Sequence, residues 1–154
     1  MRVLLDSNLL LLWIVGGANP QFIQSNKRLK AYSAVHFELL REQIKNAAEL
    51  VVTPYILAEV SNPLDLKAIP NKKPLAEQFK RVACSARTVE IHQSSCELTH
   101  SLVFQRLGLS DCAIAALDAD IVVLTADLDL YTHLCGLGRQ HNAINFNHLR
   151  DSVV

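Results

Sequence analysis

Met1 to Gly16 reads MRVLLDSNLLLLWIVG, an apolar run with a carboxylate set in its middle. Val3, Leu4 and Leu5 lead up to Asp6, and Leu9 to Val15 continue beyond it. A short apolar run that stops at a polar pair has the form of a buried strand, so Arg2 to Leu5 is expected as the first strand. Ser7 or Asn8 then opens a helix through Val15, which Gly16 and Gly17 are expected to end. Asp6 falls at the carboxyl end of that strand. Taking a carboxylate out of water costs several kcal/mol unless a partner or a metal compensates it. The stretch also has the outline of a secretory leader, a positive start at Arg2 and a short apolar core. Asp6 and Asn8 interrupt the segment, and its apolar core, Leu9 to Val15, is far shorter than the roughly 20 residues that cross a bilayer. We read it as folded structure and expect no membrane partner.

The same alternation continues along the chain. Ala18 to Lys30 is polar and reads as a loop, and Ala31 to Ala48 carries helical spacing at Val35, Leu39, Ile44 and Ala47. Glu49 to Thr53 is a second strand, and Pro54 suits the first turn of the helix PYILAEVSN. Pro63 to Pro74 is irregular. A helix from Leu75 to about Ser85 leads into a third strand, Thr88 to Ile91. One long helix is expected from Ser94 or Ser95 to about Arg106, ended by Gly108. Ser110 then caps a short helix, DCAIAALDA. IVVLT, residues 121–125, is a fourth strand, a helix begins near Asp127, and Ala143 to Phe146 is the last strand. Strands alternating with helices specify a three-layer α/β/α domain around a mainly parallel sheet of about five strands.

The 154 residues suit one domain, half of them hydrophobic and 19% charged, a globular composition. Fifteen basic residues balance fifteen acidic ones, so net charge argues neither for nor against nucleic acid. Cys84, Cys96, Cys112 and Cys135 form no C-x-x-C pair and suit reduced thiols in a cytoplasmic protein.

Chemistry in an open parallel sheet collects at the carboxyl ends of the strands. Asp6 follows the first strand and Asp127 the fourth, Glu59 lies on the helix after the second, and Asp111 opens the helix after Gly108-Leu109-Ser110. All four are set in apolar sequence: VLLDS, YILAEV, LSDCAIAAL and VVLTAD. Each of Asp6, Asp111 and Asp127 read alone is as well explained as a helix cap. Four carboxylates at one edge repel, and either their pKa values rise or a divalent cation neutralises them. An all-oxygen set suits Mg²⁺ or Mn²⁺, which could activate water against a phosphodiester.

The series VLLDSN, TPYILAEVSN, GLSDCAIAAL and VVLTADLDL resembles the four acidic motifs of PIN-domain proteins, whose best-known small members are VapC-type toxin ribonucleases. The resemblance runs from Arg2 to about Leu130. It implies a metal-dependent endoribonuclease with Asp6, Glu59, Asp111 and Asp127 as catalytic and metal-binding acids, and Mg²⁺ or Mn²⁺ as cofactor. Ser7 and Asn8 match the polar pair expected to orient the first acid, and Thr125 the threonine of the last motif. An RNA substrate, an antitoxin partner and a homodimer are implied in the same way. The chain departs from the compact toxins at Gly16 to Lys30 and Pro63 to Pro74, where it is longer. Asp129 competes with Asp127 for the fourth place; in a helix the two point about 200° apart, and Asp127 is the choice. The alternative from another class is a silent PIN-like module that binds RNA or protein without cutting.

Other constellations carry less. His92, Cys96 and His100 would share a face if their helix reached back that far, but a buried cysteine between surface histidines is the plainer reading. Neither a G-x-S-x-G elbow nor a phosphate-binding P-loop occurs. Lys67, Lys72, Lys73, Lys80, Arg81 and Arg87 form a basic run. Lys72, Lys73, Lys80 and Arg81 are its candidates for RNA phosphates, and Lys27, Arg28 and Lys30 form a smaller group. Tyr55 and Phe79 could stack bases, though core packing suits them better.

Overall fold

A computed structural model describes residues 1–64 and 73–152. Five strands form the sheet: β1 (Arg2–Leu5), β2 (Glu49–Val52), β3 (Thr88–Glu90), β4 (Val122–Thr125) and β5 (Ala143–Asn145). Their order is β3-β2-β1-β4-β5, and every pair is parallel. The expected fold class is therefore the observed one, with all neighbours parallel where the sequence suggested only most of them. Each strand lies within a residue of its expected place.

β1 is the central strand, paired on one side through Leu4 with Val51 and on the other through Leu4 with Val123. Val3, Leu4 and Leu5 are almost wholly buried, as a strand covered on both faces requires. The helix α1 (Ser7–Ala18) packs against α3 (Ala34–Ile44), α4 (Pro54–Ser61) and α5 (Lys73–Ala83). Its residues Leu9 to Leu12, Ile14 and Val15 are all buried, so the helix is apolar nearly all round because it lies inside the domain. Beyond β3 come α6 (Ser95–Thr99) and α7 (Phe104–Ala115), and beyond β4 comes α8 (Leu128–Gly136), which packs against α7. The last helix, α9 (Phe146–Asp151), reaches back to α3. Right-handed crossovers place the helices after β1 and β2 on one face and those after β3 and β4 on the other.

Three expectations need correction. Gly16 and Gly17 do not end α1, which runs on through Ala18. A Cβ on Gly16 would overlap the Phe37 ring, so Gly16 serves the close approach of α1 and α3 rather than a stop. Ala18 to Lys30 is not a plain loop: it holds α2 (Phe22–Ser25) and a 3₁₀ turn, Lys27–Leu29, anchored by the buried side chains of Ile23 and Leu29. The single long helix from Ser94 is two, with Thr99 the last residue of α6 and Phe104 the first of α7. Gly108 then kinks α7, with φ 79° and ψ 178°. His92 precedes α6 entirely and faces Glu90 at 3.5 Å, so it shares no helical face with Cys96 and His100.

One buried cation ties the second face together. Arg139 donates through Nη1 to the carbonyls of Ile114, Ala115 and Leu117, and through Nη2 to those of Asp118 and Ile121. It thereby joins the end of α7 to the chain entering β4. All four cysteines are free thiols. Among the described residues no helix is long and apolar enough to cross a membrane.

Candidate active site

The chain leaves β1 and runs to β2 on one side, while β4 takes the other side. The crevice beyond the carboxyl ends of β1 and β4 is thus the point where the direction of winding reverses, the usual place for a ligand in such a sheet. A cleft of about 160 Å³ opens there, lined by Asp6, Ser7, Asn8, Arg28, Glu59, Asp111, Asp127 and the Leu107–Ser110 turn.

Asp6 caps α1, its Oδ1 accepting from the Leu9 amide at 2.8 Å. Its Oδ2 accepts from the Thr125 hydroxyl at 2.6 Å and from the Ala126 amide at 2.7 Å. The carboxylate in the apolar run therefore has three protein donors, and these rather than a metal are its first compensation. They do not fully offset burial, which raises its pKa above 3.8 against the lowering effect of the hydrogen bonds. Its charge also reaches Tyr32, whose phenol is pushed up to about 12 by burial first and by Asp6 second.

Asp127 caps α8, its Oδ1 accepting from the amides of Asp129 at 2.7 Å and Leu130 at 3.1 Å. Its own amide bonds the Thr125 hydroxyl at 2.9 Å, so Thr125 bridges the first and last acids. Asp129 is exposed and is not among the residues that line the cleft. Glu59, on the exposed side of α4, accepts a hydrogen bond from the Ser7 hydroxyl.

Asp111 differs from the other three. It stands in the first turn after the Gly108 kink and lies half-buried. Burial, followed by the charges of Asp127, Asp6 and Glu59, drives its pKa up to about 7, and no hydrogen bond from the described residues lowers it. Among the described residues no three His, Cys, Asp or Glu side chains gather closely enough to form a finished metal-ligand group. The donor set nevertheless fits Mg²⁺ or Mn²⁺. Mg²⁺ keeps several waters and takes only one or two protein carboxylates, and Asp111 is a carboxylate held among like charges with no hydrogen bond among the described residues.

The supporting residues divide. Thr125 touches Asp6 directly, but Ser7 and Asn8 do not. They lie in the first turn of α1, where Ser7 turns to Glu59 and Asn8 Oδ1 accepts from Arg28 Nη2 at 3.3 Å. Of the basic candidates, Lys67 and Lys72 lie outside the described residues. Lys73 pairs with Glu77 at 3.9 Å, Arg81 donates to Gln78 at 3.1 Å, and Lys80 borders a separate shallow cleft with Arg81 and Cys84. Lys73, Lys80 and Arg81 do not line the carboxylate cleft; Arg28 does. Tyr55 donates to the Gln93 carbonyl at 2.7 Å and Phe79 packs on the core, so both are structural. Reading residues 18–30 as a loop left Arg28 as one of a small basic group with no place in the fold, although Asn26, which caps its turn, is a legible helix-start signal.

Fold and cleft together define an all-parallel α/β/α protein with four acids at its switch point. No family model, curated protein or solved structure matches the chain.

Proposed function

We propose that the protein is a Mg²⁺- or Mn²⁺-dependent endoribonuclease of PIN type, acting in the cytoplasm, where its free thiols stay reduced. The observation that carries this reading is Asp111, a carboxylate pushed up to about 7 inside a cleft shared with Asp6, Glu59 and Asp127. Perturbed acids gathered in a cleft mark functional sites, because a fold with no use for them would not retain the repulsion. A cation held there would supply Lewis-acid activation of water and relief of charge at phosphorus. Asp111 would be its principal protein ligand. Asp6, fixed by Thr125 and Ala126, sets the negative field at the floor of the cleft, and Glu59 and Asp127 complete it from the rim. An antitoxin partner and a homodimer belong to the same reading through the motif resemblance alone.

The use of Asp6 and Asp127 as caps favours a second reading, a PIN-like module that binds RNA or protein without cutting. Incubating a mixed RNA pool with wild type and Asp111→Asn, in Mn²⁺, Mg²⁺ or EDTA, separates the two. Asp111 is the better choice than Asp6, because Asn at position 6 would set an amide against the Thr125 and Ala126 donors and disturb folding. Metal-dependent cutting that is lost in a folded Asp111→Asn supports the nuclease. A folded wild type that cuts in no metal overturns it.

A further inference from the structure

We infer that Arg28 is a phosphate clamp at the mouth of the carboxylate cleft, binding a backbone phosphate of the RNA chain; this rests on the ribonuclease reading. Among the described residues the cleft is otherwise lined by acids and uncharged groups, which would repel an RNA strand entering it. Arg28 is the one basic residue among its described lining. Its partner there is the neutral amide oxygen of Asn8, at 3.3 Å, a contact that orients the guanidinium without cancelling its charge.

The backbone beneath it is built to hold that position. Asn26 Oδ1 accepts from the Arg28 amide at 2.9 Å, and Asn26 Nδ2 donates to the Pro63 carbonyl at 3.4 Å, at the end of α4. Leu29, next in sequence, is wholly buried. An exposed arginine on a turn fixed at three points carries a rigid five-donor fork suited to phosphate oxygens. Next to metal-seeking carboxylates, such a fork would dock a phosphate flanking the scissile one and set the strand's register.

The test is fluorescence anisotropy of labelled oligouridylate in EDTA, where nothing is cut, over a series of KCl concentrations. Wild type is compared with Arg28→Ala, Arg28→Lys and Lys45→Ala; Lys45 borders a pocket with Trp13 and Arg41, away from the acids, and loses the same charge. Arg28→Ala is expected to bind about tenfold more weakly, and the slope of log affinity against log salt should fall by about 0.7, the share of one single-strand phosphate. Arg28→Lys should recover most of the slope but not all the affinity, and Lys45→Ala should stay within about twofold of wild type. Equal binding by wild type and Arg28→Ala overturns the clamp, as does an equal loss in Lys45→Ala or a wild type that binds no RNA. If Arg28-dependent binding occurs but no RNA is cut in Mg²⁺ or Mn²⁺, the clamp stands and the nuclease reading falls.

Discussion

Thr125 carries more of the site than its type suggests. One hydroxyl donates to Asp6 Oδ2 and accepts from the Asp127 amide, so two acids from opposite ends of the chain share a single atom. Thr125→Val keeps the shape and removes that atom. It should destabilise the protein by about 1–3 kcal/mol, read as a lower urea midpoint, because a buried carboxylate and an amide both lose a partner. Asp111 works in the other direction. Its pKa is raised from 3.8 to about 7, so between those values the folded chain holds a proton that the unfolded chain has released. Stability from this group is therefore greatest on the acid side and falls as pH rises to about 7. Asp111→Asn should stabilise the metal-free protein at pH 8 by about 1–2 kcal/mol, allowing for partial exposure. That gain should be smaller at pH 5, which paired urea titrations would read. Asp6, Asp111 and Asp127, which share the cleft, were all legible as candidates because each is set in apolar sequence at a strand end or helix start. Arg28 stood out only as one of a small basic group, and its place at the cleft did not, since nothing in a polar stretch announces which way a turn will fold.

Among the elements, the strands were the most legible, because continuous apolar runs such as IVVLT fit a buried parallel strand and little else. The helices on the second face were less so. Leu98 and Leu102 stand four apart and read as one continuing apolar face, yet Leu98 is buried and Leu102 is fully exposed, and the chain turns between them. Periodicity shows which residues would share a face, not whether the face is covered. Gly108 was correctly a break, but it breaks α7 from within. Its φ of 79° with ψ of 178° belongs to a region only glycine occupies at low cost. An added Cβ meets nothing within 4 Å, so Gly108→Ala isolates the backbone term. A loss of about 1–3 kcal/mol in urea unfolding is expected. Relaxation of the kink would also swing Asp111 out of the cleft, so under the proposed ribonuclease reading metal-dependent cutting should fall further than stability alone explains.

At the scale of the molecule, Arg139 links α7, which bears Asp111, to the strand that leads to Asp127. Sequence reasoning passed over it because a single arginine in a turn looks like surface, whereas here it is 6% exposed. Arg139→Ala would leave five carbonyls without their donor and should cost about 3 kcal/mol or more, measured by thermal or urea unfolding. Arg139→Lys should recover only part, since an ammonium cannot span the same fork. The order β3-β2-β1-β4-β5 also fixes when the cleft comes into being. Thr125 and Ala126 follow Asp6 by 119 and 120 positions, so the first acid emerges from the ribosome long before its donors. β1 has no neighbour on that side until β4 has been synthesised and threaded beside it. Whatever the cleft does, it cannot do while β4 is still to be made, because Asp6 then lacks the two donors that fix it in place.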